Sequence, residues 1–187
     1  MGDEDEALNE FDLALEYDTN SEFSAIIYYA IGEVHYNHLI SGIQGTVVRS
    51  SVGLHSAHKP GDSITEVHAE DYELPIEKFE AAIENLGSLK ADEEIVEYVS
   101  KSAPQRIADT CYKWGSDLID KSRQIDNYGR ETQDVQESLK HLKRTLEIDG
   151  DHSQASLMVK YAKKMLQQGW TIYDENGFEA KKIEGNG

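Results

Sequence analysis

Apolar residues recur at spacings of three and four along most of the chain, which is the pattern of helices that bury one face. In residues 5–17 the apolar positions are Ala7, Leu8, Phe11, Ala14 and Leu15. Six further segments have the same character, at 21–41, about 72–86, 92–103, 104–125, 132–148 and 153–168. The sequence therefore predicts an all-α protein of about six or seven helices.

Capping and helix-breaking residues predict where these helices begin and end. Pro75 is expected in the first turn of its helix, and Pro104 is expected to end one helix and open the next. Asn20 or Ser21 is expected to cap the second helix, because short polar side chains accept a hydrogen bond from its first N–H groups. Gly169 is expected to stop the last helix.

Two segments depart from the helical pattern. Residues 42–69 contain four Gly and one Pro with several Ser and Thr, which predicts one long inserted loop or a small hairpin. The tail 171–187 has Asn176-Gly177 between short alternating stretches, which is a weak hairpin signal, and it is expected to be partly disordered. The predicted organisation is a helical domain over 1–170 with an insertion at 42–69, followed by this tail.

The chain contains nearly the same segment twice, as EALNEFDLALEYD at 6–18 and ESLKHLKRTLEID at 137–149. Both place a small residue first, a bulky apolar residue four positions later and another small residue three beyond it. These residues are Ala7, Phe11 and Ala14 in the first copy, and Ser138, Leu142 and Thr145 in the second. The helix near 72–86 shares part of the pattern through Pro75, Phe79 and Ala82. Small residues let a neighbouring helix approach closely, so the pattern indicates a repeated helix–helix contact.

This pattern resembles the second helix of the tetratricopeptide repeat family. Tyr28, Gly32 and Tyr36 are similar to the first helix of that family, and Trp114 and Gly115 are similar less fully. The spacing of the repeats is irregular and the family's turn proline is absent. The resemblance implies a short antiparallel helix array over 1–170 that binds a protein partner.

Acidic residues are concentrated in the first part of the chain. The net charge is −18, of which residues 1–102 carry −17, and no Lys or Arg precedes Arg49. Such a field repels nucleic acid and anionic membranes and attracts a partner rich in Lys and Arg. The candidate partner-binding residues are the acids of the first helix, Asp3, Glu4, Asp5, Glu6, Glu10, Asp12 and Glu16.

Motifs of catalysis are not evident, because the sequence has no Gly-rich phosphate loop, nucleophile elbow or HExxH segment. We therefore expect a non-enzymatic interaction module without a cofactor: an adaptor, an assembly factor or a chaperone-like scaffold. The acidic N-terminus and the lack of an 18-residue apolar run predict a cytoplasmic protein that does not bind membranes. A structural assembly or virion subunit from a high-salt environment is an alternative that would also explain the acidity.

A metal-binding helical bundle is a second alternative. His35 and His38 lie three residues apart on one predicted helix, where two imidazoles share a face, and His55 and His58 have the same spacing in the insertion. Two histidines alone are weakly specific for a metal, so the interpretation as packed or solvated histidines is favoured. Cys111 is the one cysteine and is expected to be a small buried residue.

Overall fold

The computed structural model describes residues 2–41, 66–174 and 176–187, with side chains from Glu4 onward. These residues form six α-helices, one short 3₁₀ turn at Leu86–Ser88 and one two-stranded sheet. The helices are α1 (Gly2–Tyr17), α2 (Ser24–Ser41), α3 (Ala69–Glu84), α4 (Glu93–Ser122), α5 (Glu131–Ile148) and α6 (Ser153–Gln168). The strands are β1 (Trp170–Tyr173) and β2 (Glu179–Ile183). The predicted all-α class is confirmed.

The chain divides into two compact units. Unit 1 comprises Met1–Gly42 and Ala69–Thr110, and unit 2 is built mainly from Cys111–Gly187. Helix α4 contributes its first part to unit 1 and its last part to unit 2. Most of the predicted insertion, and with it the hairpin considered there, lies outside the described residues.

Unit 1 is organised around α2, which contacts both α1 and α3. The resemblance of Tyr28, Gly32 and Tyr36 to a repeat's first helix implies a close helix contact at Gly32, and the contact is present: a Cβ atom on this residue would lie 2.7 Å from Cε1 of Phe79. Phe79 is fully buried, and its ring also packs against Tyr29 and Tyr36 at centroid distances of 5.5 and 6.5 Å. The missing side chain of Gly32 therefore lets α3 place an aromatic ring against the α2 backbone.

Unit 2 repeats this contact with other residues. A Cβ atom on Gly115 of α4 would lie 2.6 Å from Cγ of Leu142, which is fully buried on α5. Ser138, one turn earlier on α5, donates a hydrogen bond from Oγ to the Gly115 carbonyl at 2.7 Å. The rest of the core cluster consists of Ile119, Val135, Ala155, Met158, Val159, Ala162 and Met165.

The packing arrangement found at the second copy of the doubled segment, in α5, recurs in α3 and not at the first copy in α1. Phe79 and Leu142 each meet a glycine on the preceding helix of their own unit, and Pro75 and Ser138 are buried four residues before them. In α1 the corresponding Phe11 is only half-buried. The resemblance to tetratricopeptide repeats stays a prediction, because the described helices form no regular succession of 34-residue pairs.

Both helix boundaries predicted from proline were wrong. Pro104 lies inside the 30-residue helix α4, and Pro75 is the seventh residue of α3, which begins three residues earlier than predicted. Proline removes a backbone hydrogen bond and crowds the preceding turn, at a cost of about 3 kcal/mol. Val99, Ala103 and Ile107 are buried at successive spacings of four across the proline, so packing on both sides outweighs that cost.

The tail forms the hairpin indicated by Asn176-Gly177. Strands β1 and β2 pair antiparallel with a register irregularity after Ile172. The last residues continue onto α6, since the N–H groups of Asn186 and Gly187 donate to the carbonyls of Leu166 and Gln167. The tail expected to be partly disordered therefore has hydrogen-bonded partners up to its final residue.

Candidate functional site

An open cleft lies at the junction of α1 and α2 in unit 1. Its volume is about 500 Å³. The lining residues are Ala14, Tyr17, Asp18, Thr19, Asn20, Glu22, Phe23 and Ile27. The cleft therefore combines an apolar wall from the two helix ends with a polar turn between them.

Asp18 fixes the shape of this turn. Its carboxylate accepts hydrogen bonds from the N–H groups of Glu22 and Phe23, both at 2.9 Å, and from Oγ of Ser24 at 2.7 Å. Desolvation raises the pKa of Asp18, but the hydrogen bonds from Ser24, Phe23 and Glu22 outweigh it and hold the pKa below its usual 3.8. The carboxylate is thus ionised at neutral pH and ties the end of the turn to Ser24, the first residue of α2.

The cap predicted at Asn20 or Ser21 was wrong, because α2 begins only at Ser24 and the polar side chain that binds the turn before it is Asp18. Ser21 has a φ of +56°, in the left-handed region, which turns the chain between the helices. The prediction placed the cap directly before the apolar residues of α2, whereas Asp18 binds residues four to six positions further along the chain.

Large apolar side chains stand exposed around the cleft. Tyr17 is 83% exposed, Phe23 50% and Leu13 45%. Glu6, Glu10, Leu13 and Tyr17 are spaced by four, three and four residues along α1, so they form one stripe on the helix surface. This stripe leads from acidic side chains to the aromatic wall of the cleft.

The acidic residues predicted as a binding face lie on α1. Those with described side chains are all exposed: Glu4, Asp5, Glu6, Glu10, Asp12 and Glu16. The side chain of Asp3 lies outside the described residues. Glu4 reaches Nδ1 of His38 on α2 at 3.2 Å. Their exposure leaves these acids accessible to a partner, and their role in binding one stays a prediction.

The Lys and Arg side chains described in unit 1 contact other residues of that unit, and they leave the negative charge of the α1 acids largely uncompensated. Lys90 contacts Glu22 at 2.5 Å, and Lys101 is hydrogen-bonded to Glu97. Lys78 lies 5.9 Å from the ring centroid of Tyr28. Arg106 is paired with Glu33. These four are the only Lys and Arg in the sequence of the unit, against 21 Asp and Glu.

Arg106 joins α4 to α2. Its Nε and Nη2 donate to the two carboxylate oxygens of Glu33 at 2.6 and 3.2 Å, and its guanidinium lies 4.6 Å from the ring centroid of Tyr36. The hydrogen bond that it donates to Glu33 raises the pKa of Arg106 above its already high value. This half-buried ion pair is a structural contact, because the guanidinium of Arg106 and the carboxylate of Glu33 neutralise each other.

His35 and His38 have separate surroundings. His35 is half-buried, and its pKa is lowered chiefly by desolvation, then by Lys78 and His38, against a smaller opposing effect of Asp12. His38 is exposed and contacts Glu4. In the part of the chain that the structure describes, no group of three or more His, Cys, Asp or Glu could hold a metal ion. His55 and His58 lie outside the described residues.

The sequence carried one signal of the cleft that could have been used. Tyr17 and Phe23 flank the polar turn DTNSE, one on each side, where neither aromatic side chain belongs to the buried face of a helix.

Among the described helices, none combines the length and the apolar character that crossing a membrane requires. No protein-family model, curated protein or solved structure matches the chain.

Proposed function

We propose that this protein is a non-enzymatic protein–protein interaction module, an adaptor, assembly factor or chaperone-like scaffold, that binds a basic partner through unit 1. The observation that carries the proposal is the charge of that unit. It has 21 acidic residues against four basic ones, and each basic residue is already engaged within the unit. The acids of α1, by contrast, are exposed.

Electrostatics of this kind acts mainly on the rate and specificity of association. Each exposed ion pair contributes only about 0–1 kcal/mol, so no single acid of α1 is expected to dominate. The summed field attracts a cationic surface and repels anionic ones, and it is screened beyond about 8 Å at physiological ionic strength. Binding of a basic partner is therefore expected to be fast and strongly dependent on salt.

The helix arrangement supports the choice of a binding module. We propose a relationship to tetratricopeptide repeats on the glycine contacts with Phe79 and Leu142, which occur at the positions that the repeated pattern specifies. Function inferred from such a fold rests on analogy, whereas the acidic surface is a property of this chain. A reducing, cytoplasmic setting belongs to the proposal and is consistent with the fully buried thiol of Cys111.

Association kinetics with labelled Lys/Arg-rich and Glu-rich peptides of equal length test the proposal. The Lys/Arg-rich peptide should bind, and its association rate should fall steeply as salt is raised from about 50 to about 500 mM. The Debye length shortens over this range, passing through about 10 Å at 0.1 M. A variant with Glu6→Gln, Glu10→Gln and Glu16→Gln should associate more slowly.

The matched control neutralises three exposed acids of unit 2, Glu147, Asp151 and Glu179. It should leave the association rate nearly unchanged. Equal slowing by both triple variants would show a response to net charge alone, and no binding of the cationic peptide would contradict the proposal.

A further inference from the structure

We infer that the cleft between α1 and α2 is the docking site for a basic amphipathic helix of the partner. One bulky apolar side chain of that helix enters between Tyr17 and Phe23, and its Lys or Arg side chains lie along Glu6 and Glu10. The inference rests on the proposed function, because it names where the basic partner binds and what chemistry it presents.

The aromatic walls provide the apolar part of the site. Tyr17 is 83% exposed and Phe23 50% exposed, and both line the cleft together with Ala14 and Ile27. Aromatic side chains in pockets of this kind carry a large share of the energy at protein interfaces. An apolar side chain that enters the cleft therefore removes exposed aromatic surface from water.

The acidic stripe determines the occupant. Glu6 and Glu10 are four residues apart, about 6 Å along the helix axis, and Tyr17 lies about 10 Å beyond Glu10. A second helix laid alongside α1 presents cations at the same spacing when they stand at positions i and i+4. The geometry thus selects a helix with two cations one turn apart and an apolar residue about two turns further on.

The cleft is preorganised for binding. Asp18 holds the turn through three hydrogen bonds, and Lys90 ties Glu22 in place through both its backbone N–H and its side chain. A site that is already ordered loses less conformational entropy when a ligand binds. Because these two acids are engaged within the protein, the charges that meet the partner are those of α1.

Fluorescence anisotropy with three labelled helical peptides tests the inference on the full chain. The first peptide combines Lys at i, i+4 with Leu, the second replaces each Leu by Ser, and the third replaces each Lys by Gln. Tyr17→Ala and Phe23→Ala should each weaken the Lys/Leu peptide about tenfold or more and leave the Lys/Ser peptide unchanged. Glu6→Gln with Glu10→Gln should weaken both cationic peptides. Circular dichroism checks that each variant folds. Tyr17→Ala is the substitution least able to disturb the core, because Tyr17 is largely exposed.

Phe178→Ala is the matched control, since Phe178 is an aromatic of unit 2 that is 71% exposed. It should leave all three peptides unaffected. Unchanged Lys/Leu binding by Tyr17→Ala and Phe23→Ala would overturn the cleft as the site while leaving the proposed function standing. If the Gln/Leu peptide bound as tightly as the Lys/Leu peptide, the inference that the docked helix is basic would be overturned. Failure of both cationic peptides to bind the unaltered protein would overturn the proposed function as well.

Discussion

Gly32 shows how one absent side chain determines a helix contact. The position at which a Cβ atom would stand lies 2.7 Å from the ring of Phe79, and that ring is enclosed by Tyr29 and Tyr36. Gly32→Leu should therefore lower the free energy of unfolding by about 1–3 kcal/mol, which is the usual cost of overpacking a core. Urea denaturation followed by circular dichroism measures the change.

Gly87→Leu is the control for this substitution, because no heavy atom lies within 4 Å of the Cβ position there. It should change the free energy of unfolding by less than about 0.5 kcal/mol. Adding Phe79→Ala to Gly32→Leu should cost less than the two separate effects predict, since the new side chain fills the vacated space. An unchanged unfolding midpoint for Gly32→Leu would show that the helices can separate at this point.

His141 gives the second prediction at this scale. It stacks on Trp114 with ring centroids 3.7 Å apart, and desolvation, with smaller effects of Arg144 and Lys140 against Glu137, lowers its pKa from 6.5 to about 4. Between pH 6.5 and about 4, His141 is therefore protonated in the unfolded state and neutral in the folded state. Stability should fall as pH decreases from about 6.5 towards 4, by up to about 3 kcal/mol.

Urea denaturation at several pH values measures this loss, and the variant His141→Phe isolates it. Phenylalanine keeps an aromatic ring against Trp114 but cannot take up a proton, so the difference in stability between variant and unaltered protein should grow as pH falls. His38→Gln is the control, because His38 is exposed. Parallel pH profiles for the unaltered protein and His141→Phe would contradict the assignment.

At the scale of elements, α4 is where local chemistry and packing compete. Pro104 denies the helix one backbone hydrogen bond, yet buried residues continue on both sides of it. Pro104→Ala should restore that bond and raise the free energy of unfolding by about 1–3 kcal/mol, less any gain in the entropy of the unfolded chain. The exposed neighbour substitution Gln105→Ala should be nearly neutral, and a loss of stability in Pro104→Ala would show that the helix is not continuous there.

Elements set by local chemistry were predicted well from the sequence. Helix α6 has the predicted bounds because both ends are determined within a few residues: Gly169 has a φ of +76°, and His152 accepts the N–H of Ala155. Helix α4 could not be predicted, since its continuity depends on residues far away in sequence. The contact at Gly32 was expected from the resemblance carried by Tyr28, Gly32 and Tyr36, and its partner Phe79 is a bulky residue of the repeated pattern.

The candidate site was only half predictable for the same reason. Charge is visible in composition, so the exposed acids of α1 were identified from the sequence. The cleft depends on how the end of α1 meets the start of α2, which is set by three hydrogen bonds to Asp18 across a six-residue turn. Exposure of Tyr17 and Phe23 is a result of that turn, and no periodicity along the sequence encodes it.

At the scale of the whole molecule, the acidity has two explanations with different salt dependence. Self-repulsion in unit 1 destabilises the folded state at low ionic strength, and screening relieves most of it once the Debye length falls from about 10 Å at 0.1 M towards 3 Å at 1 M salt. If the acidity serves a basic partner, stability should rise at low salt and level off below about 1 M. Binding of the partner should weaken over the same range.

Urea unfolding in potassium chloride from the low-salt regime into the molar regime distinguishes this from adaptation to a salty cell. The variant with Glu6→Gln, Glu10→Gln and Glu16→Gln should gain less from the first increments of salt than the unaltered protein, because part of the repulsion has been removed. The triple variant of unit 2 should behave like the unaltered protein, since that part of the sequence, from Cys111 onward, has a net charge of −1. Stability that keeps rising through molar salt in every variant, together with peptide binding indifferent to ionic strength, would assign the acidity to the environment and remove the main support for a basic partner.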